Sequence, residues 1–167
     1  MIHSITEFEQ SWKSESARTL SLMRALTDKS LAQPVAVGHR TLGRIAWHTV
    51  TTIPEMLSHT GLVFTSLRAD EPMPASAAKI ASAYEKVAVE LFAVVKKNWT
   101  DADLKVTDNL YGETWARGLT LHILIDHEIH HRGQMSVLMR QAGLVVTSIY
   151  GPALEEWAAM GMQPPML

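Results

Sequence analysis

The chain has 167 residues, 47% of them hydrophobic and 19% charged, with 15 basic residues against 17 acidic ones and a formal net charge of -2. This excludes a disordered chain and is enough for one folded domain with a substantial core, residues 1–167, while the even charge leaves no footprint for nucleic acid or an anionic membrane. There is no cysteine, so disulfides and thiolate ligands are excluded and any metal must be held by His, Asp or Glu.

The first segment, MIHSITEFEQSW, has no basic stretch followed by an apolar run, so no signal peptide is expected. No apolar run reaches the length of a membrane span. A cytoplasmic location fits both readings. From about Ser4 to Asp28 the pattern is helical: Phe8, Trp12, Leu20, Met23 and Leu26 recur at steps of three and four or their multiples, and Ser4 suits the cap. Leu31 to His39 contains Pro and Gly and reads as a connection.

A second helix is expected from near Thr41, with Pro54 kinking it or stopping it at Ile53, and His59-Thr60-Gly61 marking a further end. His48 shares its face with Thr41, Arg44, Ile45, Thr52 and Glu55, a face too polar for a pure packing stripe. Leu62 to Pro74 is irregular. A third helix, about Ala75 to Asn98, carries Ile80, Tyr84, Val87, Leu91 and Val94 or Val95 as a packing stripe. Trp99 to Gly112 reads as a long connection.

The fourth and longest helical pattern runs from about Thr114, its expected cap, to Ala142. It contains HEIHHRGQ, residues 127–134. His127 and His131 are four apart, so on a helix they stand one turn above the other, the spacing at which one rigid element offers two imidazoles to one ion. They interrupt an apolar stripe that includes Thr120, Ile123, Leu124, Gln134 and Leu138. His130 lies about 60° to the side of this pair at 100° per residue and suits a cavity lining better than a ligand. The far side of the helix is also apolar, with Leu121, Ile125, Ile129 and Met139. A helix apolar on two sides is deeply buried or meets another subunit, and a homodimer through this outer face is one expectation. Gly143 ends the helix at a C′ position. Leu144 to Pro152 is a loop, and Leu154 to Met160 suits a short final helix with Trp157 packed inward. Four long helical patterns without a credible run of strands predict an all-α bundle whose long connections permit an order other than up-down-up-down.

HEIHH is also an H-E-x-x-H string, in which His127 and His131 would bind zinc, Glu128 would act as general base and Glu155 or Glu156 would be the third ligand. A ferritin-like dimetal site is excluded, because Glu128 and His131 form the single Glu-x-x-His pair.

Three features resemble the DinB/YfiT-like superfamily of metal-binding four-helix bundles: TLGRIAWHTV with His48, then H-x3-H followed by Arg132-Gly133-Gln134, and the closing Met139 to Leu144 with Tyr150-Gly151-Pro152. The resemblance spans about Ile2 to Pro152. It implies a DinB-like bundle in which His48, His127 and His131 bind one divalent metal, zinc or nickel first, manganese or iron in some relatives. It also implies an activity that joins a low-molecular-weight thiol to a small electrophile. Gln134, His130 and Glu55 are then candidates to orient the substrate or a ligand, and Glu55 to close the site as a fourth ligand. Three imidazoles alone would leave an ion an open position for a thiol or water. A closed site would instead suit a non-catalytic metal-binding stress-response protein. His3, His39, His59 and His122 suit surface or capping roles.

Overall fold

A computed structural model describes residues 1–166. Four α-helices form the bundle: α1 (Ile5–Arg24), α2 (Leu42–Ser58), α3 (Ala77–Asn98) and α4 (Arg117–Gln141). The principal packing pairs are α1 with α3, α3 with α2, α2 with α4, and α4 with α1. Going round the bundle the order is therefore 1-3-2-4, and the chain crosses a diagonal between α1 and α2 and again between α3 and α4. The long connections serve those crossings.

The starts of α1 and α2 have a local cause. Ser4 accepts from the Glu7 N–H at 3.1 Å, and Thr41 accepts from the Arg44 N–H at 3.2 Å, each satisfying a donor that the first turn leaves free. α3 borrows its cap from elsewhere: the Ala77 N–H reaches Asp28 at 2.7 Å. α4 ends in a Schellman turn. Gly143 has φ +76°, its N–H bonds to the Arg140 carbonyl, and the Leu144 N–H bonds to the Met139 carbonyl, as the sequence predicts.

Pro54 does not stop α2. The helix runs on to Ser58, burying Met56 and Leu57 almost completely. Two such side chains contribute about 3–6 kcal/mol, which offsets the roughly 3 kcal/mol cost of an interior proline. The connection after α2 is pinned to α3 by Glu90, which accepts from the backbone N–H and hydroxyl of both Thr65 and Ser66.

The connection between α3 and α4 holds an element absent from the sequence reading, an antiparallel hairpin of β1 (Thr107–Leu110) and β2 (Glu113–Ala116). Its two-residue turn is Tyr111-Gly112, with φ +56° and +87°. Positive φ at both positions matches the right-handed twist of the strands. Tyr rarely takes the first of them, so the turn carries no Asn-Gly or Asp-Gly signal. Thr114 is consequently a strand residue opposite Asn109, and α4 begins at Arg117. Arg117 is fixed by an ion pair with Asp108 at 2.9 Å and lies over the Trp99 ring. One residue on, a Cβ at Gly118 would stand 2.3 Å from the Ile2 carbonyl oxygen. That close approach lets the Ile2 N–H, in the segment before α1, hydrogen-bond to the Gly118 carbonyl of α4 at 3.1 Å.

The two-sided apolar character of α4 has an answer within the chain. Leu121, Ile125 and Met139 are buried and Ile129 packs beside them, because α4 sits between α1 and α2. This face therefore does not itself call for a partner subunit. After Gly143 the chain returns over α1, with Ser21 and Thr147 hydroxyls 3.0 Å apart and Arg18 donating to the Ile149 carbonyl at 2.9 Å. In place of a final helix there are two single 3₁₀ turns, Leu154–Glu156 and Ala158–Met160, and Trp157 is only half-buried. Among the described residues, no helix is long and apolar enough to cross a membrane.

Candidate metal centre

His48 comes from the second turn of α2, and His127 and His131 come from successive turns of α4. Because α2 and α4 pack directly on each other, the three rings converge at their contact. The Nε2 atoms of His127 and His48 are 3.2 Å apart, and those of His131 and His127 are 3.1 Å apart. All three ligand atoms lie within 4.8 Å of one another.

Two neighbours set which nitrogen faces the centre. Gln134 places Oε1 2.7 Å from His131 Nδ1. An amide oxygen only accepts, so Nδ1 carries the hydrogen and Nε2 keeps its lone pair. The Gln134 amide nitrogen in turn donates to His130 Nε2 at 3.0 Å. Thr52 gives its own proton to the His48 carbonyl at 2.8 Å, leaving its oxygen to face His48 Nδ1 at 3.4 Å. Thr52 shares the face of His48 in the sequence pattern, and the four-residue spacing is the signal for this contact.

Burial, reinforced by the neighbouring charges, holds His48 and His127 at about 4. Burial also lowers His131, against the raising effect of Gln134. All three are neutral near pH 7, the protonation state in which imidazole binds a metal. His127 Nε2 stands 3.2 Å from His48 Nε2 and 3.1 Å from His131 Nε2, a spacing that suits an N–H···N hydrogen bond in the absence of metal and an ion held between the rings in its presence. Around an ion with bond lengths of about 2.0–2.1 Å, tetrahedral ligand nitrogens stand roughly 3.3–3.4 Å apart. The observed spacing is close to that edge, and the donor set fits a divalent ion.

The other candidates fall elsewhere. Glu55 is turned to the hairpin, accepting from the Tyr111 hydroxyl at 2.7 Å with His59 Nε2 at 3.4 Å. His130 is exposed and meets Gln134. Glu128, the would-be protease base, points into the core, where it accepts from Thr19 at 2.8 Å and Tyr84 at 2.6 Å. Glu155 is paired with Arg140, and Glu156 accepts from the Ser148 and Ala153 N–H groups. The H-E-x-x-H protease arrangement is therefore not formed. Arg132 belongs to the core as well. It is 1% exposed and donates to Glu15, to Thr19 and to the Tyr150 hydroxyl.

Sequence and structure comparisons cover nearly the whole molecule. A sequence model of the DinB family matches residues 1–166. The chain belongs to the DinB family. It is 44% identical over 167 residues to the uncharacterized protein YrdA of Bacillus subtilis strain 168, with each chain covered in full. It also resembles the crystal structure of a DinB-like protein from Bacillus cereus ATCC 10987, at TM-score 0.86 and 47% identity, covering 90% of this chain and all of that one. A second DinB-like structure, YjoA of Bacillus subtilis, shares the fold at TM-score 0.64 and 16% identity, covering 82% of this chain and 92% of that one. Of the residues that carry the resemblance in the sequence, Arg132 and Tyr150 meet each other. Together they anchor the closing loop, while the histidines and the Gln gather at the α2–α4 contact.

Proposed function

We propose that His48, His127 and His131 bind one divalent metal ion, zinc or nickel before manganese or iron, and that the protein is a metal-dependent enzyme. In it a low-molecular-weight thiol, or water, is activated for transfer to a small electrophile. The observation that carries this reading is the convergence of three histidine ring nitrogens, from half-buried or buried side chains, with no carboxylate among them.

When bound, the ion supplies a positive centre beside which a thiol or water loses its proton more readily. The chain's own residues do the rest. Gln134 fixes the ring of His131, and Thr52 faces the ring of His48, so the nitrogens are presented without reorganisation. The protein supplies no cysteine of its own, so the nucleophile comes from outside. Glu55, the candidate to close the site in a non-catalytic metal protein, is already held by Tyr111 and His59, which favours an open position and hence the enzyme.

Metal content of tag-free protein, measured by elemental analysis beside His48→Ala, tests the reading. About one ion per chain in the wild type, lost in the variant, is the expected result. A wild type that takes up no zinc, nickel, manganese or iron on reconstitution overturns it.

A further inference from the structure

The chain has eight arginines. Six of them form ion pairs: Arg18 and Arg132 with Glu15, Arg24 with Glu85, Arg68 with Asp70, Arg117 with Asp108, and Arg140 with Glu155. Arg40 and Arg44 pair with no carboxylate among the described residues. Both stand at the start of α2, beside the His triad.

Their placement is set by the backbone. Arg44 precedes His48 by one helical turn, on the same face of α2. Arg40 lies just before the Thr41 cap, in a segment held by the Pro34–Thr41 bridge, by the Val35 N–H on the Arg40 carbonyl at 3.0 Å, and by the Leu42 N–H on the Gln33 carbonyl at 2.8 Å. The base of each side chain is thus rigid, and each guanidinium is exposed. The charge of Arg40 is felt at all three histidine rings, and that of Arg44 at His48. On the other side Glu55 acts on His48, but its carboxylate already accepts from Tyr111.

The donor set compounds this imbalance. Three neutral imidazoles leave a divalent ion its full charge, where a carboxylate ligand would cancel part of it. Two unpaired guanidinium groups next to such a centre favour an anionic visitor. Planar guanidinium forks match the geometry of a carboxylate, as they do that of a phosphate. The helix N-terminus is not needed as a cradle, since Thr41 already takes the Arg44 N–H.

We infer that the molecule entering the open position at the His triad carries a carboxylate, which Arg40 and Arg44 engage while its thiol or other donor atom faces the histidines. This inference rests on the metal-site reading and specifies the substrate class for it.

The test is a pair of thiols of equal length, 3-mercaptopropionate and its uncharged amide, titrated into protein loaded with Co(II). The absorption change on thiolate entry reports binding whether or not there is turnover. Elemental content is measured first on the wild type, Arg40→Gln, Arg44→Gln, the double variant and His48→Ala. The wild type is expected to bind the carboxylate thiol about tenfold more tightly than the amide, a preference that shrinks with added salt. In Arg40→Gln/Arg44→Gln the cobalt content is expected to be unchanged and the two thiols to bind alike. Equal binding in the wild type overturns the inference, and so does a preference that survives in the double variant. A wild type that holds no Co(II), indistinguishable from His48→Ala, overturns the metal reading itself and this inference with it.

Discussion

His127 and Glu128 are neighbours in the chain, as are His131 and Arg132, yet the members of each pair sit in opposite surroundings. The histidines meet His48 at the α2–α4 contact, where their Nε2 atoms face one another and Gln134 holds the ring of His131. Glu128 and Arg132 project toward α1 and α3 into a closed network. Tyr84 and Thr19 donate to Glu128, Arg132 donates to Thr19 and Glu15, and the Tyr150 hydroxyl accepts from Arg132 and donates to Glu15 at 2.6 Å. One side gathers three imidazole nitrogens with no carboxylate among them, a donor set that suits a cation from outside. The other consumes its polar groups internally and leaves only Glu128 Oε2 without a protein partner. A rotation of 100° per residue separates a site for chemistry from a structural strut.

The sharpest way to break that contrast is at Arg132. Arg132→Met removes a guanidinium that is 1% exposed and leaves Glu15, largely buried, without its strongest partner. A loss of about 3–5 kcal/mol in urea unfolding is expected, with metal content per folded chain unchanged. If folded Arg132→Met lost its metal, the two sides of α4 would not be separable.

Glu128 gives a pH signature. Burial, only partly opposed by the Tyr84 and Thr19 hydrogen bonds and by Arg132, raises its carboxyl from the usual 4.5 to about 7. Between those values the unfolded chain has released a proton that the folded chain still holds. Stability is therefore full below pH 4.5 and falls as pH rises through 7, by on the order of 3 kcal/mol at about 1.4 per pH unit. Glu128→Gln is expected to flatten that slope, as read by Tm between pH 4.5 and 8, without abolishing metal uptake. An unchanged slope would place the pH dependence in another group.

On the histidine side the corresponding change is Gln134→Ala. It frees His131 Nδ1, and with it the ring's orientation and tautomer. Gln134 is exposed, so unfolding of the metal-free protein is expected to change little. Metal affinity is expected to fall roughly 10–100-fold, the usual cost of losing a partner that orients a ligand. A competition titration against a chelator reads this directly. Equal affinity would make the contact incidental.

The pair His127 and His131 was legible because its members are one turn apart on a helix, whereas His48, on a polar helical face that also suits a half-exposed histidine, joined them only through the resemblance to DinB-like bundles. The bundle was legible in the helical spacing of Phe8 and Trp12 or Ile80, Tyr84, Val87 and Leu91. What did not read through depends on which helix covers which. That Leu121, Ile125 and Met139 are buried within the chain stayed hidden, because no local pattern reveals that α1 and α2 flank α4 on its two sides. H-E-x-x-H could not disclose that α1 and α3 would engage Glu128. The hairpin stayed hidden because its turn uses Tyr111, against local preference. Glu55 stayed in contention for the same reason, since its partner is that Tyr111.

The smallest expected effect is also the finest probe of the structural side. Tyr150 carries two separable contributions. Its ring lies under two guanidinium groups, with Arg18 at 5.0 Å and Arg132 at 5.1 Å from the ring centre, and its hydroxyl joins Arg132 to Glu15. Tyr150→Phe keeps the ring and removes the hydroxyl, and a loss of about 0.5–1.5 kcal/mol is expected. Tyr150→Ala removes both, and each ring–guanidinium contact adds about 0.5–1 kcal/mol at a partly exposed position. If the closing loop is held by the buried Arg132, a double-mutant cycle of Tyr150→Phe with Arg132→Met will show coupling near the whole of the hydroxyl's effect. If Arg18 and the Ile149 carbonyl hold the loop instead, the coupling vanishes, and the H-R-G-Q arginine supports α1 alone.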